Sequence, residues 1–148
     1  MLLDLLDEAF DKKSWHGPNL RGSIRGVTAK QAAWRPDRDR HNIWELTVHA
    51  AYWKYVARRR LSGEKRGSFV LPGSNFFIRP VSSPSAKDTE RAWKADVEIL
   101  MAEHCRLRAV VSQVTNPSRA QAHMVRGVAA HDLYHAGQIR LLRRLCSL

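Results

Sequence analysis

Asn42-Ile43-Trp44-Glu45-Leu46-Thr47-Val48-His49-Ala50-Ala51-Tyr52-Trp53-Lys54-Tyr55-Val56-Ala57-Arg58-Arg59-Arg60-Leu61 is the stretch that decides the fold. Its apolar residues Trp44, Val48, Ala51, Tyr52, Tyr55 and Val56 recur at spacings of three and four, the period of a helix with one face turned to a core. Asn42 stands before the run as an N-cap, and Glu45 follows three positions later as in a capping box. Ser62-Gly63 stops it. The predicted helix is about 30 Å long.

The same period recurs on both sides. Leu2, Leu5, Leu6, Ala9 and Phe10 predict a first helix over residues 2 to 13, interrupted at Gly17-Pro18 and resuming from about Pro18 to Arg25. Thr28 caps a short helical turn through Ala33, and Pro36 to Arg40 is a polar loop. Residues 63 to 86 hold Gly63, Gly67, Pro72, Gly73, Pro80 and Pro84, which make a long irregular connection. A chain that long can return along a helix and set its two neighbours parallel, with Phe69, Phe76 and Phe77 as anchors. A third long helix spans about Lys87 to Val114, with Trp93, Val97, Leu100, Met101, Leu107, Val110 and Val111 inward, and Asn116-Pro117 ends it. The last runs from about Arg119 to Leu145, with Val125, Val128, Leu133, Ile139, Leu141, Leu142 and Leu145 apolar. No alternating run with hairpin turns predicts a strand. The expectation is an all-α fold, a four-helix bundle with a long crossover between its second and third long helices.

The 148 residues suffice for one compact domain, so a single domain over residues 1–148 is expected. No run of 18 apolar residues predicts a membrane span. Asp4, Asp7 and Glu8 near the start argue against a secretory leader. Cys105 and Cys146 form no metal-ribbon spacing and fit a reduced, cytoplasmic setting. Lys and Arg number 25 against 14 Asp and Glu, a surface that attracts polyanions. The basic residues are spread along helices, with short clusters at Arg58-Arg59-Arg60, Lys65-Arg66 and Arg143-Arg144. Without a nucleic-acid-binding motif beside them, they read as a solvated surface before a nucleic-acid footprint.

His131 and His135 stand four apart in Ala130-His131-Asp132-Leu133-Tyr134-His135-Ala136-Gly137-Gln138-Ile139, on one face of a helix. Two imidazoles so placed can share a metal ion, and a third ligand is then wanted. His49, set among Val48, Ala50, Ala51, Tyr52 and Trp53, is the best candidate, because an imidazole in so apolar a setting must be satisfied. The competing readings are two histidines four apart by chance and a core histidine bonded to a carbonyl. The pair is not a zincin motif, which needs His-Glu-x-x-His; Asp132 fills the glutamate's place and is expected near the surface or orienting a neighbour. Glu45 is read first as a cap and second as a partner to an imidazole or an extra ligand. His16, His41, His104 and His123 are read as structural or solvent-facing.

Two blocks, Asn42 to Trp53 and Val125 to Ile139, together with the long crossover, resemble the DinB/YfiT-like superfamily of metalloenzymes. The resemblance spans about Leu2 to Leu145. It implies a down-up-up-down bundle and a divalent metal held by His49, His131 and His135. It further implies zinc or nickel as the ion, a homodimer, and for some relatives transferase or isomerase chemistry with a low-molecular-weight thiol. The broken first helix and the basic charge have no place in that pattern.

Three imidazoles leave an open position on an ion, the mark of a catalytic site. The expected function is therefore activation of water or a thiol for hydrolase or S-transferase-type chemistry on a small molecule. Tyr52, Tyr134 and Glu45 are candidate bases. Arg126 is a candidate for an anionic substrate, but a plain surface role is its stronger reading. The rival is a non-catalytic metal- or nucleic-acid-binding helical module.

Overall fold

A computed structural model describes residues 1–82 and 85–147; Ser83 and Pro84 of the crossover, and Leu148 at the end of the expected domain, lie outside the described residues. The described residues form helices α1 (Leu2–Phe10), α2 (Leu20–Ile24), α3 (Ala29–Ala33), α4 (Ile43–Ser62), α5 (Ala86–Ser112) and α6 (Arg119–Cys146), with no strand among them. The fold is all-α, as the periodicity predicts. None of these helices is long and apolar enough to cross a membrane.

Local chemistry sets the ends. Asn42 caps α4 by accepting from the Glu45 amide at 2.8 Å, and Gly63 closes it in the left-handed conformation at φ 76°. Thr28 and Gln31 form a full capping box on α3, as do Ser118 and Gln121 on α6. α1 ends at Phe10 rather than residue 13. The Asp7 carbonyl takes the amides of both Asp11 and Lys12, and the Asp7 carboxylate binds Lys12 and Arg108 of α5. The resumed helix is a single short piece, capped by Asn19 on the Gly22 amide.

α4 packs on α5 and α6, and α1 packs on α6 and α5. One apolar cluster gathers Phe10, Ile43, Trp44, Val48, Trp93, Leu100 and Ile139; a second gathers Leu6, Ala57, Leu107, Val111, Val125 and Val128. Buried indoles are satisfied: Trp44 donates to Asp96 at 2.7 Å and Trp93 to the Val27 carbonyl at 2.8 Å. Leu141 and Leu145, expected on the apolar face of α6, are exposed instead, because they turn away from the face that buries Ile139 and Leu142.

Two expectations are corrected inside this frame. Asp132 is not near the surface: it is fully buried and ion-paired with Lys54 of α4, itself fully buried. A position next to His131 on a helix buried from several sides still faces protein, so the surface reading fails. Glu45 does not complete a capping box. Its carboxylate binds Arg35 at 2.8 and 2.5 Å, the His41 ring at 3.1 Å and the Arg79 amide at 3.2 Å. A bidentate guanidinium outcompetes a single backbone amide for a carboxylate.

Candidate metal centre

α4 carries His49 two turns in, and α6 carries His131 and His135 one turn apart on the same face. Because α4 and α6 pack together, all three imidazoles converge. His131 Nε2 lies 3.0 Å from His49 Nε2 and 3.0 Å from His135 Nε2. The ligand atoms of the trio all lie within 4.8 Å of one another, so together they can hold a metal ion.

The opposite edges of two rings show which nitrogens carry protons. His49 Nδ1 donates to the Asn75 carbonyl at 2.8 Å, and His135 Nδ1 donates to Gln138 Oε1 at 2.6 Å. In a neutral ring this leaves Nε2 bare, with its lone pair aimed at the centre of the trio. Two bare nitrogens 3.0 Å from His131 Nε2 are met either by a proton on that nitrogen or by a cation shared among all three. Zinc–nitrogen bonds of 2.0–2.1 Å at tetrahedral angles would set ligand nitrogens about 3.3 Å apart, so the trio is close to a fit and slightly tight.

His131 is held differently. Its Nδ1 is buried without a partner, and packing orients the ring: His135 lies edge-on at 4.3 Å between centroids and Trp53 at 6.3 Å. Burial pushes His49 down to about 4, the Asn75 bond opposing this and His135 and His41 adding to it. Burial, then His135, His49 and Lys54, pushes His131 down to about 3. Burial lowers His135 as well. Rings that refuse protons at neutral pH present free lone pairs to a cation.

The crossover supplies the outer layer. Asn75 adopts the left-handed conformation at φ 64°, which turns its carbonyl to His49 while its side-chain oxygen accepts from the Trp53 indole at 3.0 Å. Phe76, expected as a simple anchor, lies stacked between His49 at 3.9 Å and His41 at 3.8 Å. Phe77 is buried and anchors the segment as expected. Beside the trio opens a cleft of about 1000 Å³, lined by His41, Phe76, Tyr134, His135 and Gln138 among others.

The remaining candidates separate by place. Tyr134 is exposed on the cleft wall, and its hydroxyl accepts from Gln138 at 3.3 Å. Tyr52 packs against Phe69 and Phe77 and lines a different cleft. Glu45 is held well below the usual carboxylate range: burial opposes this, but Arg35, His41 and the Arg79 amide outweigh it. A carboxylate so stabilised is a poor base. Arg126, His16 and His123 are exposed, and His104 is buried against Phe10, away from the trio. His41, read in the sequence only as structural or solvent-facing, lies on the cleft wall. It stands four before Glu45, the spacing of a paired imidazole and carboxylate, and that signal was open to reading.

A family model for the DinB superfamily matches residues 14–139. No curated protein and no solved structure matches the chain.

Proposed function

Because the chain belongs to the DinB superfamily, we propose that it is a metal-dependent enzyme acting on a small electrophile through water or a low-molecular-weight thiol. The carrying observation is the convergence of three Nε2 atoms, two of them left bare by Nδ1 bonds to Asn75 and Gln138. His49, His131 and His135 are the proposed ligands of a divalent ion, with zinc or nickel the ion types preferred. Imidazole donors accept either, so preference between them comes from the family resemblance. Hydrolase or S-transferase-type chemistry, a homodimeric state and a cytoplasmic setting belong to the same proposal. So does a four-helix bundle of α1, α4, α5 and α6 in down-up-up-down order. The packing of α1 and α4 each on both α5 and α6, and the long connection after α4, support that topology.

A divalent cation supplies Lewis acidity, which makes water or a thiol a nucleophile near neutral pH. The chain's own groups do the rest. Asn75 and Gln138 fix the ring planes of His49 and His135. Phe76 covers one face of His49 and keeps water from it. His41 lies on the wall of the same cleft, across the Phe76 ring from His49, its Nδ1–H held by Glu45, which leaves Nε2 to take a proton from a group bound in the cleft. Glu45, itself clamped by Arg35, stabilises the imidazolium that results. Tyr134 at the cleft wall is placed to bond a substrate oxygen.

The test is turnover by metal-loaded and metal-free protein. The panel pairs nitrophenyl esters with water and an activated chloroarene with a low-molecular-weight thiol. Turnover confined to the loaded protein and abolished in His131→Ala is expected. Equal background rates in both preparations across the panel would remove the enzymatic reading.

A further inference from the structure

The arginines at the end of α4 are not alike. Arg58 is neutralised, its guanidinium shared by Glu64 and Glu103. Among the described residues, Arg59 reaches only the Glu64 backbone carbonyl, at 3.5 Å, and its Nε is buried without a partner. Among the described residues, Arg60 and Arg66 have no carboxylate within ion-pair distance, although acids elsewhere in the chain are widely paired. A buried guanidinium N–H with no acceptor is costly to leave unmade.

Arg59, Arg60 and Arg66 share one concavity. They line a cleft of about 650 Å³ between α4 and the crossover, whose wall carries no acidic residue. Its apolar side is aromatic: Tyr52, Trp53 and Phe69, with Tyr52 and Phe69 edge-to-face at 5.4 Å. Guanidinium forks match the geometry of carboxylate and phosphate oxygens, and aromatic faces accept a flat apolar body. The volume suits a small molecule, and the basic groups ring a pocket instead of tracking a surface.

We propose that this cleft binds a small organic anion, a carboxylate or phosphate monoester carrying a flat apolar group. The anionic head sits among Arg59, Arg60 and Arg66, and the ring lies against Phe69 and Tyr52. The site is separate from the histidine trio and does not rest on a metal being bound there. The two share one wall, because Trp53 lines this cleft and donates to Asn75, the residue that orients His49.

Calorimetric titration of the full chain tests this with phenyl phosphate, benzoate, phenol, inorganic phosphate and a single-stranded oligonucleotide. The aromatic anions are expected to bind saturably, with phenol and inorganic phosphate each at least about tenfold weaker than phenyl phosphate. The exposed pair Arg60→Gln/Arg66→Gln should weaken phenyl phosphate by about tenfold or more with its melting temperature unchanged. Phe69→Leu should weaken phenyl phosphate but leave inorganic phosphate as it was. The same results in His131→Ala would keep this proposal independent of the metal reading. Equal affinity in the arginine variant and the parent would overturn it, as would no saturable binding of either aromatic anion. Tighter oligonucleotide binding lost in the same variant would instead make the patch a nucleic-acid contact.

Discussion

His49 and His131 stand 82 positions apart in the chain and bring their Nε2 atoms to 3.0 Å. Nothing covalent or local holds that approach. It depends on the packing of α4 on α6 and on the Asn75 carbonyl that turns the His49 ring.

The outer layer of the centre is therefore open to test without touching a ligand. Gln138→Leu removes the acceptor for His135 Nδ1. Zinc affinity should fall about 10- to 100-fold, while the metal-free protein melts where the parent does. Gln138→Glu keeps an acceptor and should recover most of the loss. Unchanged affinity in Gln138→Leu, measured by competition with a chromogenic chelator, would show that His135 needs no such support.

Lys54 and Asp132 form a second link between α4 and α6, both fully buried. Burial lowers Lys54 and pushes Asp132 up to about 6, while their mutual attraction works against both shifts. Removing one partner strands the other. Lys54→Met should cost about 3–5 kcal/mol in denaturant unfolding, and Lys54→Met with Asp132→Leu should recover most of it. A double variant no more stable than Lys54→Met would mean that shape, not charge, governs this place.

His104 makes metal-free stability depend on pH. Its ring stacks on Phe10 at 3.6 Å, and burial, then the Lys54 charge, pushes it down to about 3, with Asp7 opposing and Arg108 and Arg21 adding. The unfolded chain takes a proton near pH 6.5 that the folded chain refuses. Stability is thus complete above pH 6.5 and falls as the pH drops below it, by about 1 kcal/mol at pH 5.5 from this residue. His49 and His131 act in the same sense without metal. His104→Phe should flatten the profile between pH 6.5 and 4.5 by its own share; an unaltered profile would place the titration elsewhere.

The proposed proton acceptor can be separated from the ligands. His41→Phe keeps a ring against Phe76 but carries no proton. Metal content should be unchanged, while turnover falls about 100-fold or more. Loss of both together would make His41 part of the metal's support instead.

The helices were legible because apolar spacing and caps agree, as at Asn42 and Thr28. The trio was legible because two histidines share a helical face and a third sits in an apolar run. The outer layer was hidden for a physical reason. Asn75 acts through a backbone carbonyl, which any residue has, and only its left-handed conformation directs it. Lys54 and Asp132 were hidden because partners 78 positions apart leave no periodic trace. Glu45 was misread because a carboxylate three residues after a cap has a local use, and Arg35 becomes visible as its partner only in the fold.

Metal uptake tests the central claim most directly. Protein purified gently and reconstituted with zinc or nickel, then freed of loose metal, should hold close to one ion per chain, and His49→Ala, His131→Ala and His135→Ala should each lose most of it. Uptake below about 0.2 equivalents in the parent, or full uptake surviving all three substitutions, would contradict the account.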